Sequence, residues 1–305
     1  MSEIAADSTD VLPGTKAKKG LPGLPDFDFN KIRNSPAFIP GLVAIAALVF
    51  AFWELFAELP KLWFKDDGYY SHGVLVPFIS AYVIYRWWPK LKDIPVRPFY
   101  PAVLPLLLTG WLLFAGVRIG QIQILSFSLV MMLLAAVWFV AGGRWLLATF
   151  LPIGFLLFGL PIWSAIIDTY TNPLQIISTD ISFSMLQLVG FEPWKQDNTT
   201  IYLKNFTLDV GVPCSGLKLA IAVSAFTSFF MMIAKLKWWG NLIMVAAVLP
   251  LCLFINGLRI TLIGVVGNLY GEQAGHDFHD YSGYITLIVC FFLLFKLARL
   301  LGWED

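Results

Sequence analysis

The chain has 305 residues, 58% of them hydrophobic and only 13% charged, with a formal net charge of +1. Soluble domains are nearer half apolar and a quarter charged, so the composition excludes an ordinary globular enzyme and points to an integral membrane protein. A balanced charge, with no basic stripe among aromatics, also excludes nucleic acid as a partner.

Residues Met1–Pro36, rich in Gly, Pro, Asp and Lys, read as a disordered tail, and 37–305 as one multi-pass membrane domain. Apolar runs of spanning length cover Ala37–Phe56, Gly73–Trp88, Tyr100–Val117, Ile122–Ala141, Trp145–Trp163, Leu217–Ala234, Trp238–Ile255 and Tyr284–Leu301. The expected fold class is an all-α integral membrane protein with about eight transmembrane helices. With a cytoplasmic N-terminus, only Lys61, Lys65, Arg118, Lys195, Lys204, Lys218 and Arg259 of the 21 Lys and Arg fall outside. The excess inside places both termini in the cytoplasm of an inner-membrane protein.

Between the fifth and sixth runs, Leu174, Ile177, Ile181, Met185 and Leu188 recur at helical spacing, with Gln175, Ser178, Thr179 and Ser182 between them. That pattern predicts an amphipathic helix in the membrane interface. Period-two alternation follows, Ile201 and Leu203 before Lys204-Asn205, then Phe206, Leu208, Val210 and Val212. It predicts a short β-hairpin that delivers Cys214 to the outer end of the sixth span.

Cys252 and Cys290 lie inside apolar runs and behave as small hydrophobes, and no cysteine-rich loop suggests a disulfide framework. Cys214 is different. In V-P-C-S-G-L, Pro213 stops the strand, Ser215-Gly216 turns, and Leu217 opens a helix. A thiol there meets the positive end of a helix dipole, which favours the reactive thiolate, while the Ser215 and Gly216 N–H groups could bind an oxyanion. The competing reading is an inert buried thiol. Arg259, in F-I-N-G-L-R-I-T-L, is flanked by apolar residues on both sides, where a guanidinium is functional by default and otherwise a snorkelling anchor. Its functional role would be to pair with the thiolate or hold a negative oxygen.

His276 and His279, in G-H-D-F-H-D-Y-S-G, are each a candidate general acid or base, oriented by Asp277 or Asp280, or else solvated loop residues. His72, in Y-Y-S-H-G, shares their outer face and either anchors the second span or lines the substrate's access path. Zinc on His276, His279 and His72 is a third reading, weakened because His-x-x-His here lacks the Glu of H-E-x-x-H.

Three blocks, Cys-Ser-Gly-Leu-Lys at 214–218, Asn-Gly-Leu-Arg at 256–259 and His-Asp-Tyr-Ser-Gly at 279–283, resemble the signature blocks of the exosortase/archaeosortase family. Tyr-Ser-His-Gly at 70–73 and Pro-Leu-Gln at 173–175 are similar to it as well. The resemblance implies a membrane cysteine protease or transpeptidase, without cofactor or metal. Its substrates would be membrane-anchored proteins with a C-terminal sorting signal: a short motif, a transmembrane helix and a basic tail. By position, Cys214 would be the nucleophile, Arg259 its electrostatic partner and His279 the acid/base, with the cleaved chain passed to a lipid-linked or amine acceptor or to water. His276 does not fit the family's His-to-Gly spacing. Pro213 stands where a small residue is commoner and Lys218 where Arg is common, which leaves the subfamily and its motif open. The residues alone also admit a multi-pass transporter or export partner without covalent chemistry, and a metal-dependent membrane hydrolase.

Overall fold

The computed structural model describes residues 36, 38–65 and 68–303. The expected tail, Met1–Pro36, therefore lies outside the described residues except for Pro36. The chain divides into Met1–Ala44 and Ile45–Asp305. Of the first unit, 38–44 are helical, with Ile39, Leu42 and Val43 exposed. The second unit holds the other helices, the strands and the cores.

Helix α1 (Phe38–Ala51) runs into this unit and is followed by α2 (Trp53–Trp63), a 3-10 turn at Ser71–Leu75, and α3 (Val76–Leu91). Then come α4 (Val103–Ile119), α5 (Ile122–Ala141) and α6 (Gly143–Phe155). Gly142 closes α5 and opens α6 at φ +90°, and a Cβ there would stand 2.2 Å from the Arg97 carbonyl oxygen, so only glycine fits. Phe52, Leu55, Leu129, Val130 and Ile153 form the core of this half.

Helix α7 (Ser164–Leu188) leads to an antiparallel hairpin, β1 (Thr200–Tyr202) and β2 (Thr207–Asp209), with Ile201 opposite Leu208. The chain then enters a 3-10 turn, Val212–Cys214, followed by α8 (Leu217–Ile233), α9 (Trp238–Tyr270) and α10 (Glu272–Leu300). Helices α9 and α10 fold back on each other at Gly271. Gly240 of α9 faces Leu301 just past the end of α10, and Met244, Cys252, Cys290 and Leu294 share one core. At the hairpin end of this pair, Phe206 fills a notch between Gly267 and Gly275, where a Cβ on either glycine would come within 2.7 and 2.9 Å of its ring. The Asn205 N–H donates to Asn268 Oδ1 at 2.9 Å. The small sheet is thus pinned to the tip of α9–α10, and the hairpin expected from period two is present.

Among the described residues, four helical stretches are long and apolar enough to cross a membrane: Tyr100–Ile119, Ile122–Ala141, Trp238–Tyr270 and Glu272–Leu300. The number rises to six if the bent pairs Phe38–Ala51 with Trp53–Trp63, and Gly143–Gly159 with Ser164–Leu188, each count as one span. The chain is therefore an all-helical membrane protein with a two-stranded insertion, and length and composition alone give fewer spans than the eight apolar runs of the sequence.

The face of α7 also departs from expectation. Its buried side holds Ser178, Thr179 and Ser182 together with Leu174 and Leu186, while Ile177 and Leu188 are 43% and 86% exposed. The cause is close packing against α9: a Cβ at Gly257 would lie 2.4 Å from Ile181 Cγ2, and Ser182 Oγ meets Thr261 Oγ1 at 3.2 Å. Helices in membrane proteins approach through small and hydroxyl residues, leaving larger apolar ones to face outward.

Candidate active site

Cys214 ends the 3-10 turn that β2 feeds, and four further links fix its position. Gly216 takes φ +81°, a left-handed turn that starts α8, and a Cβ on it would press within 3.2 Å of Asn256 Nδ2. Asn256, 2% exposed on α9, donates to the Cys214 carbonyl at 2.7 Å and to Ser178 Oγ at 3.1 Å. Ser178 in turn donates to the Ser215 carbonyl at 3.2 Å, and Gln175 of α7 donates to the Val210 carbonyl just upstream. Two helices therefore clamp the turn through its own carbonyls.

The thiol is buried at 6% exposure, and its Sγ lies 3.1 Å from His279 Nε2, across 65 residues of chain. The other ring nitrogen, Nδ1, faces Asp280 Oδ1 at 3.2 Å. Arg259, half-buried on α9, donates from Nε to Ser282 Oγ at 2.9 Å and from its Nη2 to the His279 carbonyl at 3.0 Å. Ser282 Oγ donates to the same carbonyl at 3.1 Å. Arg259 thus braces the turn of α10 that carries the imidazole. Helix α10 is about 44 Å long at 1.5 Å per residue, longer than roughly 30 Å of hydrocarbon, and its first turns, with Glu272, Asp277 and Asp280, are polar. Within those turns the His279 pKa is raised above its ordinary value. The bond to Cys214 is the main cause, burial opposes it, and the Cys214 charge and Asp280 add to it against the Arg259 charge.

All three residues expected to act together, Cys214, Arg259 and His279, are therefore in one cluster. His276 is not: its Nε2 points to Glu272 at 3.7 Å and its side chain is 68% exposed. Asp277 is engaged by Gln273 at 2.8 Å, which leaves Asp280 as the carboxylate beside the imidazole. His72 stands elsewhere, with Nε2 against the Phe158 carbonyl at 3.1 Å, and burial pushes its pKa down. The three histidines do not converge, and among the described residues no group of three His, Cys, Asp or Glu is placed to hold a metal ion. One expected oxyanion donor is also spoken for: the Ser215 N–H donates to the Val212 carbonyl at 3.2 Å, because the 3-10 turn closes on it. Sequence reasoning missed the Asn256–Ser178 clamp, although an amide embedded in an apolar run three residues before Arg259 was its signal.

A thiol–imidazole contact braced by an embedded arginine, on a bundle of apolar helices, defines a membrane protein built around a polar site. The family model of the transmembrane exosortases matches residues 63–296, and the chain belongs to that family. No curated protein and no solved structure gives a significant match.

Proposed function

We propose that the chain is a membrane cysteine peptidase or transpeptidase that acts on proteins carrying a C-terminal motif, a transmembrane helix and a basic tail. The observation that carries this reading is the 3.1 Å contact between Cys214 Sγ and His279 Nε2, with Arg259 bonded to the backbone of the same histidine. Family membership adds to it, since exosortases are generally cysteine peptidases or transpeptidases.

In the mechanism, the Cys214 proton passes to His279 Nε2 and the thiolate attacks the scissile carbonyl carbon. The negative charge that develops on the carbonyl oxygen is opposed by the Arg259 guanidinium, already fixed by Ser282 and the His279 carbonyl. The imidazolium then gives its proton to the departing amide nitrogen as the C–N bond breaks, leaving a thioester on Cys214. An amine, a lipid-linked acceptor or water, deprotonated by His279, attacks the thioester and returns the free thiol. Asp280 keeps the imidazole oriented through Nδ1.

The proposed setting is the cytoplasmic membrane, with eight spans, both termini inside and the site on the outer face. Helix lengths support this. Arg259 stands about 32 Å along α9 from Trp238, and His279 about 32 Å along α10 from Leu300, so both reach the far edge of a hydrocarbon layer roughly 30 Å thick. The predominance of Lys and Arg at the opposite ends agrees with it.

The test is co-expression with a membrane-anchored reporter ending in such a tripartite tail, taken from the same cell. Wild type shortens the reporter; Cys214→Ala and His279→Ala abolish shortening, and His276→Ala leaves it unchanged. Processing that survives Cys214→Ala would sink the proposal.

A further inference from the structure

Beside the Cys214 turn a groove of about 350 Å³ runs down the bundle. Leu217, three residues past Cys214, lines its near end with Phe158 and Trp163, whose rings stack at 5.6 Å. Its floor is one face of α8, where Ala220, Ser224 and Ser228 recur every four residues, and its far wall is Val245 and Val248 of α9. Ile166 and Val245 on its rim are 42% and 55% exposed, so the groove opens sideways from the bundle.

The lining carries one buried polar atom with no partner. Thr227, 1% exposed, lines the groove, and its Oγ1 is buried without a hydrogen-bond partner. Ser228, one residue on, donates to the Ser224 carbonyl at 2.9 Å in the ordinary way. Thr227 lies about 15 Å down α8 from Leu217, near mid-bilayer depth. A buried hydroxyl left unpaired in an apolar medium is costly, so the groove is incomplete as it stands.

We infer that this groove seats the transmembrane helix of the substrate, an inference that rests on the proposed cleavage activity. Residues small enough for close helix–helix approach, repeated every four positions, match the packing mode of membrane helices. A partner helix brings side-chain hydroxyls or tilted carbonyls to Thr227, whereas a hydrocarbon chain of a lipid offers it nothing. The groove is too small for a helix of about 10 Å diameter and receives one ridge of its side chains. Its near end, at Leu217, is three residues along the chain from Cys214, so a chain held there by the bond to be cleaved is placed at the head of α8. His72 serves this path indirectly, since its Nε2 is bonded to the carbonyl of Phe158.

The experiment uses the same tripartite-tail reporter with single cysteines along its span. In a Cys214→Ala background, which holds the substrate uncleaved, Ser224→Cys is oxidised against each reporter cysteine and compared with Trp111→Cys, whose site on α4 is 62% exposed. Disulfides at Ser224→Cys with helical periodicity along the reporter, and none at Trp111→Cys, are expected. Equal capture at both positions, or labelling of the Ser224 site by a photoactivatable lipid with no reporter disulfide, overturns the inference and leaves the cleavage reading standing. In the active enzyme, Thr227→Val keeps the shape and removes the hydroxyl. It is expected to slow processing of the spanning reporter about tenfold while leaving Cys214 alkylation unchanged. Processing at the wild-type rate in Thr227→Val would also overturn it. Cleavage that persists in Cys214→Ala is the separate result that defeats the enzyme reading itself.

Discussion

Two helical hairpins in this molecule differ in where their most buried polar groups bond, although α9–α10 also makes back-bonds, Thr261 to Gly257 and Thr286 to Ser282, and α5 also reaches out, from Gln123 to Ser164. In α4–α5, Thr109 donates to Leu106, Ser126 to Ile122 and Ser128 to Leu125, each within its own helix. In α9–α10, Asn256 reaches Cys214 and Ser178, Thr261 meets Ser182, and Arg259 joins Ser282 and His279 across the pair. A back-bond within a helix satisfies a donor but fixes no neighbour. Bonds between elements fix register and orientation, and a partly satisfied network of that kind is expensive. The first hairpin is therefore mainly packing, and the second is a frame that fixes Cys214, Arg259 and His279 relative to one another.

Breaking the frame at its charged member should have the largest effect. Arg259→Ala is expected to lower reporter processing by about 100-fold or more, the scale seen when an oxyanion-stabilising group is removed. Arg259→Lys should recover little, because a single ammonium cannot make the forked contact to Ser282 and the His279 carbonyl together. Recovery by Lys to near wild-type rate would mean that charge alone matters and the brace does not. Asn256→Ala comes next. It strips donors from the Cys214 carbonyl and Ser178, at a cost of about 1–3 kcal/mol. Turnover should fall about tenfold with little change in KM, since the turn is displaced and not the substrate.

A titration sharpens the same comparison. His279 is held above its ordinary pKa of 6.5, chiefly by its bond to Cys214 and against its burial. A raised folded-state value means that this contact contributes stability in full below the unfolded value and loses it as pH rises through the folded one. The melting temperature of wild type should accordingly decline as pH climbs above 6.5, and Cys214→Ala should flatten that decline. An identical slope in both proteins would remove the thiol as the cause.

Much of the site could be read in the sequence because each member interrupts an apolar run. Arg259 does so just past the seventh run, with apolar turns following it, Cys214 sits at the start of a run and His279 shortly before another, so their cost in a membrane marks them. The hairpin was legible for a different reason: period two survives in Phe206, Leu208 and Val210 because one face packs on α9–α10. The buried side of α7 was not legible. In water an apolar stripe faces the core, but beside lipid the hydroxyl stripe of Ser178 and Ser182 is the one that packs, so the moment points the wrong way. Nor did the sequence mark the end of α9, expected at Ile255 and found at Tyr270, because I-T-L-I-G-V-V-G stays helical past Arg259. The clamp of Asn256 on Ser178 joins residues 78 apart, and no local pattern encodes such a pairing.

The smallest expected effect is the most direct check on the contrast. Ser126→Ala and Ser128→Ala remove buried hydroxyls that bond only their own helix, so no partner is stranded in another element. Each should change stability by no more than about 0.5 kcal/mol and leave reporter processing unaltered. Ser282→Ala makes the identical chemical change at another buried serine, 4% exposed, where it removes the acceptor of Arg259 Nε. There the guanidinium loses one arm of its fork, and processing should fall several-fold while the melting temperature moves little. Because the substitution is the same in all three proteins, a difference between them reports where the hydroxyl points and not what it is. Equal effects at Ser126, Ser128 and Ser282 would show that the two hairpins do not differ in kind, and that the bonds across α9–α10 are packing as well.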